Sequence, residues 1–229
     1  SNSTVHDFYN GAWSASNTIS STWTKNYAAI QQCNMFLENF LGLTFPDLRL
    51  NDDYESQMFR YNNYENEVRF LRAYFYWLLI KQYGPVPIMP EEGQDVSLSY
   101  DALAVARNTY DEYVDFICRE MTQAARVLPV TRNASRWGQA TRGAALAAKA
   151  KVLLYAASPL YNGNTDLKSL TDDQGRELIA QTTSEEKWAK AAAAAKDVID
   201  LGMYELLTVK ADETTAVSYT HLTLPTSDL

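Results

Sequence analysis

Apolar side chains recur at helical spacing along most of the chain, and the first such run lies between residues 23 and 41. Spacings of four and three residues place its larger side chains on one face, which predicts an amphipathic helix. Gly42 and Pro46 follow the run, and both residue types end helices. The predicted buried face consists of Trp23, Tyr27, Ile30, Asn34, Leu37 and Leu41.

The second run is apolar on nearly every side. It extends from residue 52 or 54 to Gln82 and carries Arg72 among large hydrophobic side chains. A helix that is apolar all round must pack between neighbours, so a buried scaffold helix is predicted. Gly84 can end it in the left-handed conformation, and Pro85 and Pro87 force an extended exit. The apolar positions are Phe70, Leu71, Tyr74, Phe75, Leu78 and Leu79, with Tyr76, Trp77 and Ile80 on the remaining side.

Three more helices are predicted after this one. Thr109 and Glu112 form a capping-box pattern before one of them, and Thr183 and Glu186 form the same pattern before the last. Between these two, an alanine-rich helix is predicted over residues 141–157, and residues 162–183 are expected to be a polar insertion. The expected stripes are Tyr110, Val114, Ile117, Met121, Ala124 or Ala125, and Leu128 on the first, and Trp188, Ala191, Ala192, Ala195, Val198 and Ile199 on the last.

No stretch keeps the alternation typical of a strand, so the sequence predicts an all-α fold. Helix pairs with small-residue seams and Trp or Tyr at their ends indicate tetratricopeptide-like stacked helix pairs. The period of about 34 residues typical of such repeats is not kept, because loops of unequal length separate the helices.

The chain has 229 residues, of which 46% are hydrophobic, enough for one sizeable core or two small ones. Its net charge of −8 argues against a nucleic-acid partner, since binding to phosphates needs clustered Lys and Arg. The longest apolar run, residues 74–80, is far shorter than the roughly 20 residues that span a bilayer.

Both ends of the sequence suggest a fragment. The chain begins at Ser1 without Met or a signal peptide, and residues 217–229 carry no helical period. That tail resembles the translated read-through of a sequencing adapter, so we treat residues 217–229 as non-native and expect the natural sequence to stop near Ala216.

Several buried polar side chains are expected to be structural. Arg72 needs a partner because of its desolvation cost, and the candidates are Glu65, Glu67 or a carboxylate on the next helix. Asn34 lies on a core face, where its amide can cap a turn or bond across helices. Cys33 and Cys118 are expected to be buried free thiols, although the sequence leaves a disulfide between them open.

Residues 8–23 carry aromatic and amide side chains without a helical period that would bury them. Sugar sites combine a flat aromatic ring for stacking with amide or carboxylate side chains that bond to paired hydroxyls. Tyr9, Asn10, Trp13 and Asn17 supply this chemistry, and they are the candidate ligand-binding residues. The alternative is that Trp13 only packs its loop onto the scaffold.

No catalytic residues are predicted. The two histidines, His6 and His221, lie near the ends of the chain, and no metal-ligand motif, cysteine cluster or glycine-rich phosphate loop is present. Adjacent acids at residues 52–53, 91–92 and 172–173 are expected to be solvated. A non-enzyme without cofactor or metal is therefore expected. The alternatives are a fragment of an all-α glycoside hydrolase, which needs two carboxylates in one cleft, and a protein-binding tetratricopeptide-like scaffold.

Five segments, in order, resemble the SusD/RagB family. The first two are "WTKNYAAIQQCNMFLENF" and "EVRFLRAYFYWLLIKQYGPVPIM", which match a Trp-Tyr-Ile-Asn helix and the hallmark Phe-Leu-Arg-Ala helix with its Tyr-Gly-x-Val-Pro exit. The others are "YDEYVDFICREMTQAARVLP", "GQATRGAALAAKAKVLLYAASPLYN" and "WAKAAAAAKDVIDLGMYEL". Together they cover nearly all of residues 9–207.

The resemblance implies a surface-exposed lipoprotein of the Bacteroidetes outer membrane that captures glycan and delivers oligosaccharide to a SusC-like TonB-dependent transporter. It implies a tetratricopeptide-like scaffold, so that residues 1–216 are an incomplete SusD-like helical domain. The lipid anchor and the later, irregular half of the family are expected to lie outside this sequence. In the family, the loop before the Trp-Tyr-Ile-Asn helix commonly contributes to the glycan platform, which here is the segment containing Trp13.

Overall fold

The computed structural model describes residues 5–6, 9–12, 14, 22–41, 43, 49–92 and 97–205. Its α-helices are α1 (Trp23–Phe40), α2 (Tyr54–Tyr83), the short α3 (Tyr100–Leu103), α4 (Tyr110–Val127), α5 (Arg142–Ala157) and α6 (Glu185–Asp200). Two 3-10 turns cover Ala134–Arg136 and Thr165–Leu167. Within these described ranges the only β structure is two isolated bridges. The all-α prediction is confirmed.

The long helices stack in the order of the sequence. Helix α2 packs between α1 and α4, α4 packs on α5, and α5 packs on α6. The core between α2, α4 and α5 contains tightly buried aromatic and aliphatic side chains, among them Tyr76, Leu79, Tyr113 and Ile117. This serial packing is the stacked-pair arrangement that the sequence predicts.

The first predicted capping box is confirmed. Glu112 N donates to Thr109 Oγ1 at 3.2 Å, while Thr109 N donates to the Glu112 carboxylate at 2.8 Å. The stripe predicted for α4 is buried as expected, because its apolar residues lie on one face only.

The second predicted capping box is wrong. Helix α6 begins one residue later than the motif requires, with Ser184 at its N-cap and no side-chain cap. Asn162 instead anchors the N-cap residue, since its amide accepts from Ser184 N at 2.8 Å and donates to Ser184 O at 3.0 Å. A long-range amide pair thereby replaces the local motif.

The predicted burial of α2 on all sides is wrong on one face. Leu71 and Tyr74 are 42% and 39% exposed, whereas Arg72, Ala73 and Tyr76 are fully buried. The helix is packed on two sides, and among the described residues its third side carries no cover.

The polar insertion over residues 162–183 contributes to the core. Leu178 and Ile179 are each 1% exposed, and Leu178 O accepts from Tyr110 N at the start of α4. In α6 the buried residues are Ala191 and Ala194, while Trp188 and Ile199 of the predicted stripe are exposed. The register of that stripe is therefore wrong.

None of the described helices is both long and apolar enough to span a bilayer. The two cysteines are free, with Cys33 buried and Cys118 partly buried. Burial raises the pKa of both thiols, that of Cys118 to about 12.

Candidate functional site

Arg72 joins three elements at the centre of the fold. Its guanidinium donates to Asn34 Oδ1 on α1 at 3.0 Å, to Glu120 on α4 at 2.6 Å and to Glu91 at 2.8 Å. Of the predicted partners, the carboxylate on the next helix is the correct one. Glu65 instead pairs with Arg69, and Glu67 pairs with Arg132.

The extended segment after α2, residues 86–91, is held by side chains. Pro87 and Pro90 have no N–H, so the segment cannot join a regular backbone ladder. The hydroxyls of Tyr27 and Tyr113 donate to Pro87 O at 2.8 and 3.2 Å, and Met89 N donates to Tyr76 Oη at 2.9 Å.

Amide side chains complete this clamp. Asn34 Nδ2 donates to Pro90 O at 3.0 Å, and Ile88 N donates to Asn108 Oδ1 at 2.9 Å. The cross-helix role predicted for Asn34 is thereby confirmed, since the same amide also accepts from Arg72.

The tyrosine hydroxyls of the clamp stay protonated at neutral pH. Burial raises the pKa of Tyr76 to about 12 and raises the pKa of Tyr27 and Tyr113 as well. Because a phenol donates only in its neutral form, burial preserves the two bonds to Pro87 O.

A groove of about 680 Å³ lies between α1 and this clamped segment, and residues 103–105 also line it. Its lining is mostly apolar. A concave apolar site with a few polar groups is the usual form of a small-molecule site. The lining residues are Trp23, Thr24, Tyr27, Ala28, Ile30, Gln31, Asn34, Met35, Glu38, Pro87, Met89, Pro90, Glu91, Glu92, Leu103, Ala104 and Val105.

Helix α1 supplies a line of polar side chains along the groove. Thr24, Gln31 and Glu38 are seven residues apart, so they share one face and span about 21 Å at 1.5 Å per residue. All three are exposed. The opposite wall contributes the exposed Glu92, and this gives a hydroxyl, an amide and carboxylates around an apolar trough.

Trp23 forms one end of the groove. Its ring packs 4.9 Å from Tyr27 and meets Tyr83 edge-on at 5.2 Å, yet 39% of the residue remains exposed. The Tyr83 hydroxyl also accepts from Trp23 N at 3.1 Å, which fixes the start of α1. Trp23 is therefore an oriented aromatic surface, and its predicted burial is wrong.

Two of the four predicted glycan-binding residues, Tyr9 and Asn10, are described by the structure. Tyr9 is 84% exposed, and Asn10 Nδ2 lies 2.7 Å from His6 Nδ1; neither residue lines the groove. Trp13 and Asn17 lie outside the described residues. The sequence analysis missed the groove because its two walls are some 60 residues apart. The polar residues seven positions apart on α1, Thr24, Gln31 and Glu38, were a sequence signal that could have indicated this groove.

Two of the three acidic pairs include a residue that bonds to an arginine. Glu91 is bound to Arg72, and Asp172 receives hydrogen bonds from Arg176, which lower the pKa of Asp172. No cluster of three or more His, Cys, Asp or Glu that could hold a metal occurs among the residues that the structure describes.

The chain matches the model of a SusD-like family over residues 1–154, and that family is described as starch-binding and associating with the outer membrane. None of the curated protein sequences compared with the chain matches it significantly.

Solved structures match over most of this chain. The protein BT4246 is 29% identical, with a TM-score of 0.71 over 87% of this chain and 32% of that one. A SusD-like protein from Bacteroides fragilis is 24% identical, with a TM-score of 0.61 over 89% and 33% of the two chains. Surface glycan-binding protein A from Bacteroides uniformis is 20% identical, with a TM-score of 0.58 over 90% and 37%.

The chain therefore spans about a third of the length of these solved relatives. The two matches at 24% and 20% identity establish a shared fold and nothing further. The family match covers well over half of the chain. The five segments that resemble the family in sequence lie on α1, α2, α4, α5 and α6. The chain belongs to the SusD/RagB family.

Proposed function

We propose that the chain captures oligosaccharide without breaking bonds, and that the sugar lies in the groove between α1 and residues 87–92. The observation that carries this proposal is the combination of an oriented, partly exposed Trp23 with a line of amide and carboxylate groups on α1. The family's description as starch-binding supports the same ligand class.

The groove has the two kinds of surface that a sugar ring needs. The apolar face of the ring packs on Trp23 and on the Met35 and Met89 side chains. The hydroxyls at the ring edge bond to Gln31, whose amide both donates and accepts, and to Glu38, which accepts. The 21 Å line on α1 suits several linked sugar residues better than a single one.

The groove walls need little rearrangement to bind. Residues 86–91 are tied by side chains from α1, α2 and α4, and Trp23 is held by two tyrosines. A site ordered before binding avoids the entropy cost of ordering it on association.

One of the three groove carboxylates is not free for a hydrolytic role. A glycosidase needs one carboxyl that donates a proton and a second that attacks or activates water. Glu91 is paired with Arg72 at 2.8 Å, which leaves Glu38 and Glu92 as the other carboxylates of the described lining. The assay for released reducing sugar therefore separates capture from hydrolysis.

The remaining features are proposals drawn from the family resemblance. In this proposal the chain is part of a surface-exposed outer-membrane lipoprotein that is anchored by lipid. The lipoprotein delivers oligosaccharide to a SusC-like TonB-dependent transporter. Residues 1–216 are the helical domain, with 217–229 as a non-native tail. The segment with Tyr9, Asn10, Trp13 and Asn17 is a second glycan contact. Co-purification of the lipoprotein with a SusC-like transporter tests the delivery role.

Affinity electrophoresis in gels that contain polysaccharides tests the capture role. We expect at least one polysaccharide to retard the chain without release of reducing sugar. Trp23→Ala should weaken retardation several-fold, because stacking is worth about 0.5–1.5 kcal/mol beyond burial. Trp13→Ala should also weaken it, with little change in melting temperature.

Trp137→Ala is the matched control, because Trp137 is 91% exposed and does not line the groove. Equal losses in Trp23→Ala and Trp137→Ala would move the site away from the groove. Retardation by no polysaccharide would contradict capture itself, and release of reducing sugar would make the chain a hydrolase.

A further inference from the structure

Among the residues that the structure describes, the ionisable side chains that line the groove all carry, or can carry, negative charge. They are Glu38, Glu91 and Glu92, together with the phenol of Tyr27. No Lys, Arg or His occurs in this described lining; Lys25 on α1 and Arg107 after α3 do not line it. From these residues a ligand therefore meets carboxylates and neutral groups only.

Two of the three carboxylates are uncommitted. Glu91 is paired with Arg72, whereas Glu38 and Glu92 are exposed and have no ion-pair partner in the described part of the chain. Arg72 offers no charge to a ligand, because it is 1% exposed and already bonded to Asn34, Glu91 and Glu120.

Two N–H groups at the start of α1 are already used within the fold. Free N–H groups at a helix N-terminus attract anions. Here Thr22 N and Trp23 N both donate to the Tyr83 hydroxyl, at 3.0 and 3.1 Å. These two N–H groups are therefore not available to an anion, and none of the described lining residues is cationic.

We propose that the groove selects neutral glycans and rejects anionic ones, such as uronate or sulfated polymers. The inference rests on the proposed function, since it names the substrate class of the same groove. The hydroxyls of a neutral sugar donate to Glu38 and Glu92, and hydrogen bonds to a charged acceptor are the stronger kind. A uronate or sulfate placed there brings like charge to like charge without a counter-ion, which disfavours binding.

The test uses the full 229-residue chain and matched pairs of polymers. A neutral panel (soluble starch, xyloglucan, galactomannan) and an anionic panel (polygalacturonate, alginate, chondroitin sulfate) are compared by affinity electrophoresis. The neutral polymer that binds is then compared with its own carboxymethylated derivative, which keeps the backbone and adds charge.

We expect retardation by at least one neutral polymer, at least about tenfold weaker retardation by its carboxymethyl derivative, and none by the anionic panel. The discrimination should shrink in about 1 M salt, where the screening length falls to about 3 Å. Anionic polymers that bind as tightly as neutral ones would overturn the selectivity and leave glycan capture standing. Binding of neither panel would overturn both.

The double variant Glu38→Gln with Glu92→Gln tests the residues. Glutamine keeps the size and the hydrogen-bonding ability while removing the charge. The affinity for the carboxymethyl derivative, divided by the affinity for the neutral polymer, should rise about tenfold in this variant. Glu185→Gln is the matched control, since Glu185 is an exposed acid at the start of α6 and does not line the groove. An unchanged ratio in the double variant, or an equal rise in the control, would overturn the assignment.

Discussion

Replacing Arg72 by alanine tests how the scaffold and the groove wall are held together. The residue is 1% exposed and bonds to Asn34, Glu91 and Glu120 on three separate elements. In the variant, Glu120 loses its 2.6 Å partner and keeps only Arg69 at 3.4 Å. Breaking a buried ion pair by removing one partner costs about 3–5 kcal/mol. We expect a loss of about 4 kcal/mol, a large part of the roughly 5–15 kcal/mol that stabilises a native domain.

Urea denaturation followed by far-ultraviolet circular dichroism measures this loss. With a slope of about 2 kcal/mol per molar urea, the midpoint should fall by about 2 M. Arg72→Lys should lie between the wild type and Arg72→Ala, because an ammonium keeps the charge but cannot reproduce the planar fork that reaches three acceptors.

Arg119→Ala is the matched control. The guanidinium groups of Arg72 and Arg119 lie 5.5 and 5.4 Å from the centre of the same Phe116 ring, but Arg119 is exposed. Its removal isolates the cation–π contact, worth about 0.5–1 kcal/mol at an exposed site. If Arg72→Ala costs no more than Arg119→Ala, the buried network does not hold the helices together and the reasoning is refuted.

Burial raises the pKa of Tyr76 to about 12. Its contribution to the free energy of unfolding is therefore fully present below about pH 10, and it falls above that pH by about 1.4 kcal/mol per pH unit. Urea midpoints measured between about pH 8 and 11 check this, and a flat profile would contradict it. Burial also raises the pKa of Cys118 from 9.0 to about 12, so alkylation in the native state should be about a thousandfold slower than in urea; fast native labelling would refute this. Gly163→Ala should cost about 2–3 kcal/mol, because φ is +86° and the new methyl group would lie 2.8 Å from Thr183 N. Gly175→Ala, with φ of +77° and open space around it, carries only the backbone strain, so equal melting temperatures would exclude the Thr183 contact.

Local patterns in the sequence predicted the parts of the fold that local forces decide. The α4 helix was predicted with its capping box and its buried stripe because Thr109 and Glu112 bond to each other three residues apart. Its apolar residues also occupy a single face, which leaves one way to pack it.

Elsewhere the pattern of apolar and capping residues does not decide the structure. Asn63 and Asn66 are buried in α2 although they are polar, because each donates to a carbonyl four residues earlier in its own helix. The residue before α6, Ser184, is held by Asn162, 22 residues away, which no local motif indicates. The spacing of apolar residues alone predicts neither the buried asparagines nor the contact at the start of α6.

The groove was beyond sequence reasoning for the same reason. Its walls meet through pairs such as Tyr27 with Pro87 and Thr22 with Tyr83, about 60 residues apart. The chemistry of sugar recognition was predicted from aromatic and amide residues at 8–23. The structure adds a second set of such groups that begins at Trp23.

The prolines after α2 explain why a scaffold helix matters for a binding groove. Because Pro87 and Pro90 lack N–H groups, residues 86–91 take most of their hydrogen bonds from side chains. Those side chains come from three helices, whose spacing is set by the core around Tyr76 and Arg72. The wall that faces α1 therefore keeps its place only while the helices keep theirs. Loss of the Arg72 pair would release Glu91 from the core as well, so it should weaken glycan binding even where the chain remains folded.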